Sequence, residues 1–173
     1  MKFNYYAFKA IYLHEMDRFR RTLGQSLLSP VISTSLYFIV FGSVIGGYVQ
    51  NIDGISYGSY IVPGLLMLTL LTQSISNTSF GIFFPKFNGT IYEILAAPIS
   101  TLEVVLAFVG AGATKTVIVG VMIFITSMFF VEVEVKYPLL MIFLLLLVSF
   151  TFALFGFLIG LVSKNFEQMS IIP

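Results

Sequence analysis

Cysteine is absent from this chain, and histidine occurs once, as His14. The first absence excludes disulfides, thiolate metal sites and cysteine nucleophiles. A single histidine excludes a pair of axial histidines for a buried haem. Charge is scarce: 10% of residues are charged and 58% are hydrophobic. Soluble domains carry roughly 25% charged and 45–50% apolar residues. A mean hydropathy of +0.99 points the same way, to an integral membrane protein. The net charge of +1 gives no sign of a nucleic-acid partner.

What the sequence does contain is long uncharged runs: 31 residues between Arg21 and Asp53, 32 between Asp53 and Lys86, and 27 between Lys136 and Lys164. Runs of 11 and 16 residues flank Lys115. About 20 apolar residues suffice for a helix to cross a hydrocarbon core of roughly 30 Å. The runs predict four spans, at 26–47, 59–83, 105–130 and 138–162. Membrane β-strands would alternate over segments of roughly 10 residues, and these runs are longer and uniformly apolar. The fold class is therefore all-α, a polytopic membrane helix bundle forming a single domain over 1–173. Placing the N-terminus in the cytoplasm puts Lys2, Lys9, Arg18, Arg20, Arg21, Lys86 and Lys164 on the inner side and Lys136 alone outside, the expected bias for short loops.

Residues 3–23 differ from the spans. Tyr5, Phe8, Tyr12, Met16, Phe19 and Leu23 recur at steps of three and four, with His14, Asp17, Arg18 and Arg21 on the opposite face. This spacing predicts an amphipathic helix in the membrane interface, its apolar side in lipid and its basic side toward headgroups and cytoplasm. It serves either as a topology anchor or as a partner contact. Gly24 and Pro30 are expected to separate it from the first span. A cleavable signal peptide fits poorly, because about twenty mixed-charge residues precede an apolar run longer than a 7–15-residue h-region.

The loop at 86–98, within "KFNGTIYEILAAPIS", is too short and polar to span. Thr90 and Glu93 have the spacing of a capping box, Gly89 allows an entry turn, and Pro98 ends the helix by biasing Ala97 away from the α region. The expected product is a two-turn helix with Ile91, Ile94 and Leu95 on one side. Such a helix is marginal in water and must pack on something. It is either a turn between spans or a docking element presenting Tyr92, Glu93 and an apolar patch. Ser100 and Glu103 repeat the capping spacing at the start of the third span.

Polar residues inside the spans are few. "GAGATKT" at 110–116 superficially resembles a phosphate-binding loop, but Thr114 replaces the glycine before the lysine and no strand precedes it. A lysine at mid-bilayer costs at least about 2.5–3.5 kcal/mol, so Lys115 either snorkels to the inner interface or lines the route of an anionic substrate. Thr69, Gln73, Ser76 or Asn77, and Phe80 share a face, either packed between helices or forming a translocation surface. Gly156 and Gly160 form a GxxxG pair, and Gly112, Thr116 and Gly120 repeat small residues, both permitting close helix packing.

Four stretches together carry a family resemblance: "SLYFIVFGSVIG" in the first span, "YIVPGLL" opening the second, "KFNGTIYEILAAPIS" after it, and "FGFLIGLVSKNFEQMSIIP" closing the fourth. With the basic N-terminal helix, they resemble the permease subunits of bacterial ABC-2 type transporters, colinearly over the whole chain. Family members usually have six spans, and this chain ends at Ile171-Ile172-Pro173, where a fifth is expected to begin. The resemblance implies an exporter permease in the bacterial inner membrane, no catalytic residues or bound cofactor in this chain, and ATP and Mg on a separate cytoplasmic ABC ATPase. It implies a second permease copy, surrounding lipid as a partner, and an ATPase-coupling role for 86–98, hence for Thr90, Ile91, Tyr92, Glu93 and Leu95. Gln73, Asn77 and Lys115 are candidates for the translocation path or for helix packing. The rival readings are an ATP-independent channel or carrier, and a membrane anchor of a larger complex. Carriers usually keep acidic or histidine relays within spans; here none lies inside a proposed span, and Glu103 is at an end.

Overall fold

The computed structural model describes residues 3–45, 51–52, 55–133 and 135–171. Seven α-helices follow in chain order: α1 (Tyr5–Arg21), α2 (Leu23–Tyr37), α3 (Tyr57–Asn88), α4 (Ile91–Ala96), α5 (Thr101–Met128), α6 (Pro138–Val162) and α7 (Phe166–Ile171). A π-helical stretch, Phe38–Ile45, extends α2. Two short strands, β1 (Asn51–Ile52) and β2 (Ile55–Ser56), pair antiparallel before α3. Four helices are long and apolar enough to cross a membrane: Leu23–Phe41, Tyr57–Asn88, Thr101–Met128 and Pro138–Val162. Positions 46 and 47, expected in the first span, lie outside the described residues, as do Lys2, Asp53 and Glu134.

Two boundaries differ from expectation. Gly24 and Pro30 do not separate α1 from α2; both lie inside α2. The break falls at Thr22, whose backbone sits at φ −107°, ψ 13°, and the N–H of Ser26 already donates to its carbonyl at 2.9 Å. Proline is tolerated in a helix first turns or where neighbours satisfy the freed carbonyl, and buried Pro30 leaves α2 continuous. Helix α3 runs past 83 to Asn88, where Gly89 at φ 80° adopts the left-handed cap that glycine enters without steric cost.

The helices pack through small residues. A β-carbon on Gly156 would lie 2.5 Å from the Ile75 carbonyl oxygen, and one on Gly160 would lie 2.5 Å from that of Ser79. Both contacts advance together, so α3 and α6 run in the same direction with backbones touching. Gly112 meets the Thr78 hydroxyl and Gly120 meets Leu70, so α5 runs opposite to α3. Where lipid is as apolar as leucine, such close approach supplies the dispersion contact that holds spans together. Larger side chains fill the ends. Phe38, Leu66, Leu70 and Ile123 belong to one buried cluster, and Ile82, Phe108, Ala153 and Phe157 to another. The second cluster lies at the α4 end and positions the site described below.

Because the Gly156 contact is with backbone, it has no flexible atom to give way. Gly156→Val is expected to destabilise the protein by about 1–3 kcal/mol or more through overpacking. Gly24→Ala, where nothing lies within 4 Å of the new methyl, is expected to be neutral or mildly stabilising. Thermal unfolding of both variants in detergent checks this.

Candidate functional site

Helix α4 begins without the expected cap. Thr90 is itself helical (φ −63°, ψ −18°), and its hydroxyl caps nothing. An N-cap side chain reaches the following N–H groups from an extended backbone, and the turn at Gly89 denies Thr90 that geometry. The first turn closes instead through backbone bonds, Tyr92 N–H to Gly89 and Glu93 N–H to Thr90, both 3.1 Å. Pro98 acts as expected, with Ala97 extended at ψ 151°. Ile91 and Ile94 pack against the Ile82–Phe108 cluster. Leu95, expected beside them, faces out at 68% exposure, as does Tyr92 at 72%; Glu93 is also exposed. Leu95 lies about 100° round the helix from Ile94, so a helix seated on Ile91 and Ile94 leaves it at the edge of the contact.

The surrounding chain fastens this end tightly. Ser100 and Glu103 form the complete capping box at the start of α5, with Ser100 N–H donating to Oε2 at 2.8 Å and Glu103 N–H donating to the Ser100 hydroxyl at 3.4 Å. The Lys86 ammonium donates to the carbonyls of Leu161 (2.6 Å) and Ser163 (2.9 Å), capping the C-terminus of α6. There it satisfies free acceptors and complements the helix dipole. Phe166 of α7 sits edge-on to Phe83 and Phe87 at 4.8 and 5.0 Å.

Helix α1 docks along α5 instead of presenting its whole apolar stripe to lipid. The Asn4 backbone N–H donates to Glu103 Oε1, and its side-chain amide reaches the Pro98 carbonyl at 3.4 Å. Two to three turns on, the Tyr12 hydroxyl donates to Thr114 at 3.0 Å. One turn further, Glu15 Oε2 accepts from the Lys115 ammonium at 2.8 Å. These contacts advance in step, so the two helices run side by side in the same direction. Arg18, expected on the solvent face, belongs to the packed side: its guanidinium donates to the same Glu15 oxygen at 2.8 Å and lies 5.4 Å over the Phe80 ring.

Lys115 is buried at 3% exposure and Glu15 at 2%. The lysine holds an ion pair. Its depth follows from the helix contacts. Gly112 faces Thr78 and Gly156 faces Ile75, which puts Lys115 level with Gly156. Gly156 lies roughly 27 Å along α6 from Pro138 at 1.5 Å per residue, close to the thickness of the hydrocarbon core. The apolar helix α6 runs on to Val162, so Lys115 lies about two turns inside its α4-side end. Sequence reasoning missed the partner, although Glu15 continues the 8, 12, 19 spacing of Phe8, Tyr12 and Phe19.

The polar face of α3 is neither sealed between helices nor fully exposed. Asn77 donates to Gln73 at 3.3 Å, and Asn77, Ser76 and Phe80 line an open groove of about 640 Å³ together with Arg18, Gln25 and Lys115. Thr69 and Gln73 are half-exposed. Among the described residues, no three His, Asp or Glu side chains are grouped to hold a metal ion.

Sequence comparison decides the family. The ABC-2 type transporter family matches residues 6–173. The chain belongs to that family. Its similarity to the inner membrane transport permease YadH of Escherichia coli K12 is 36% identity over 167 residues, 96% of this chain and 65% of that protein. The YadH of Shigella flexneri matches to the same extent. Nodulation protein J of Azorhizobium caulinodans is 23% identical over 121 residues, 69% of this chain and 48% of that protein. The chain therefore spans about 65% of the length of the YadH relatives it matches. No solved structure matches it. Family membership and the four apolar helices make it a multi-pass integral membrane protein of the ABC-2 type.

Within this ABC-2 chain the Glu15–Lys115 pair supplies a sharp energetic test. Removing one partner of a buried pair leaves an uncompensated charge and typically costs about 3–5 kcal/mol, whereas removing both is often near neutral. Glu15→Leu is expected to destabilise strongly, and Lys115→Leu less, because Arg18 still answers Glu15. The double variant should recover most of the loss. Unfolding of the three proteins in detergent measures the order.

Proposed function

We propose that this chain forms the membrane-spanning part of an ABC transporter permease, and that α4 is where a separate cytoplasmic ABC ATPase grips it. The observation that carries the reading is the split character of α4. Ile91 and Ile94 root it in the bundle, while Tyr92, Glu93 and Leu95 are left exposed. A helix this short has no stability of its own, so force applied to its outer face passes directly to the ends of α3 and α5. An exposed tyrosine on a rooted helix, here Tyr92, is the kind of anchor that dominates interfaces.

In this reading the N-terminus and α4 are cytoplasmic, in keeping with seven Lys and Arg on that side against one on the other. The protein sits in a bacterial inner membrane, as its relatives, the inner membrane transport permeases YadH, do. Two permease copies pair with two ATPase subunits, which bind ATP and Mg. Movement is outward, in the sense of export. Thr90 contributes through its place in the Gly89–Thr90 turn, not through a cap.

The test is co-purification of the permease with a co-expressed ABC ATPase. Tyr92→Ala and Leu95→Asp are each expected to weaken association by about tenfold, roughly 1.4 kcal/mol. Undiminished association after replacing residues 90–97 by a flexible glycine–serine segment would contradict the proposal.

A further inference from the structure

The groove between α1–α2 and α3 has a charge imbalance that the coupling role does not use. Its two charged lining residues are Arg18 and Lys115, and both donate to one oxygen of one carboxylate, Glu15 Oε2. Two cations against one carboxylate leave a net positive charge in a largely apolar bundle, where an uncompensated charge is strongly disfavoured. Arg18 carries five N–H donors, and its side chain remains 23% exposed. Around it the groove offers the amides of Gln25 and Asn77 and the hydroxyls of Ser26 and Ser76. Phe19 and Phe80 provide apolar wall. The groove lies level with Lys115, in the α4-side half of the bundle about two turns inside the end of α6.

We propose that this groove is a binding site for a phosphate-type anion, supplied by the headgroup of an anionic phospholipid in the leaflet on the α4 side. A guanidinium with free donors and two amides satisfies phosphate oxygens by charge-assisted hydrogen bonds, and the volume, about 640 Å³, admits a headgroup while the open side leaves the acyl chains in the bilayer. An opening on the flank of a membrane-spanning bundle, in its α4-side half, favours the lipid over soluble phosphate, since local lipid concentration is high and basic residues near anionic leaflets contribute about 1 kcal/mol each. The site does not rest on the coupling role of α4; it stands or fails separately.

The experiment places the complete permease in phosphatidylcholine nanodiscs and measures partition of fluorescent phosphatidylglycerol against fluorescent phosphatidylcholine. Wild type is expected to prefer phosphatidylglycerol. Arg18→Gln should reduce that preference about tenfold and Asn77→Leu several-fold, while the exposed Arg21→Gln leaves it unchanged. Asn77→Leu leaves the Glu15 ion pair intact, so a folding defect in Arg18→Gln does not blur the result. Displacement by millimolar inorganic phosphate would assign the anion to solution and overturn the lipid source. No preference for phosphatidylglycerol in wild type, or full preference in both groove variants, would overturn the site.

Discussion

A lysine ammonium placed in an apolar helix must find a counter-charge, and here Glu15 provides it from 100 residues away. The rest of the α4 end is arranged around that pairing. It fixes α1 in register on α5, so that Asn4 reaches Glu103 and Pro98 just beyond α4. It draws Arg18 off the solvent face and onto Phe80. It also brings Arg18 and Lys115 together in the wall of the polar groove. A buried pair of this kind is weak ground for stability, because desolvation offsets most of the attraction. Its consequence is positional: alternative dockings of α1 would leave one or both charges buried without a partner.

Small residues and this ion pair divide the work between them. Gly156, Gly160 and Gly112 bring backbones close enough for α3, α5 and α6 to form a compact three-helix centre. The long helices α3 and α5 then overhang α6 at the α4 end, and Lys86 bridges the step by capping α6. Onto that overhang pack α1, α4 and α7, none of which is long and apolar enough to span. The bundle thus has a membrane part held by close backbone contact and a surface part held by caps, ion pairs and aromatic edges. In the proposed coupling, a partner pulling on α4 would act on the second part, which is joined to the first through the shared helices α3 and α5.

Local spacing and composition carried the architecture in the sequence, and long-range pairing was hidden. Four apolar runs indicated four helices because hydrocarbon thickness dictates their length. Ser100 and Glu103 announced their cap because both partners lie within one turn. Thr90 and Glu93 have the same spacing yet form no cap, since Gly89 turns the chain so that Thr90 starts already helical; spacing alone does not report that backbone angle. Leu95 was misplaced because helical periodicity over six residues does not fix which side is anchored. Glu15 carried a signal that went unread: on a packed stripe with Phe8, Tyr12 and Phe19, a carboxylate points into the protein and requires a cation, and Lys115 is the one lysine inside the spans expected from sequence. The 640 Å³ groove had no linear signature at all, because its walls come from α1, α2, α3, α5 and α7.

The docking of α1 on α5 is the central claim, and a chain without native cysteine allows it to be measured against a clean background. Tyr12→Cys and Thr114→Cys, introduced together into the complete protein in native membranes, report that contact through a short bifunctional thiol reagent. Rapid intramolecular linkage is the predicted result, with little linkage when Tyr12→Cys is replaced by Tyr6→Cys, whose side chain is 84% exposed. Equal linkage of the two pairs, or none from the first, would contradict the account.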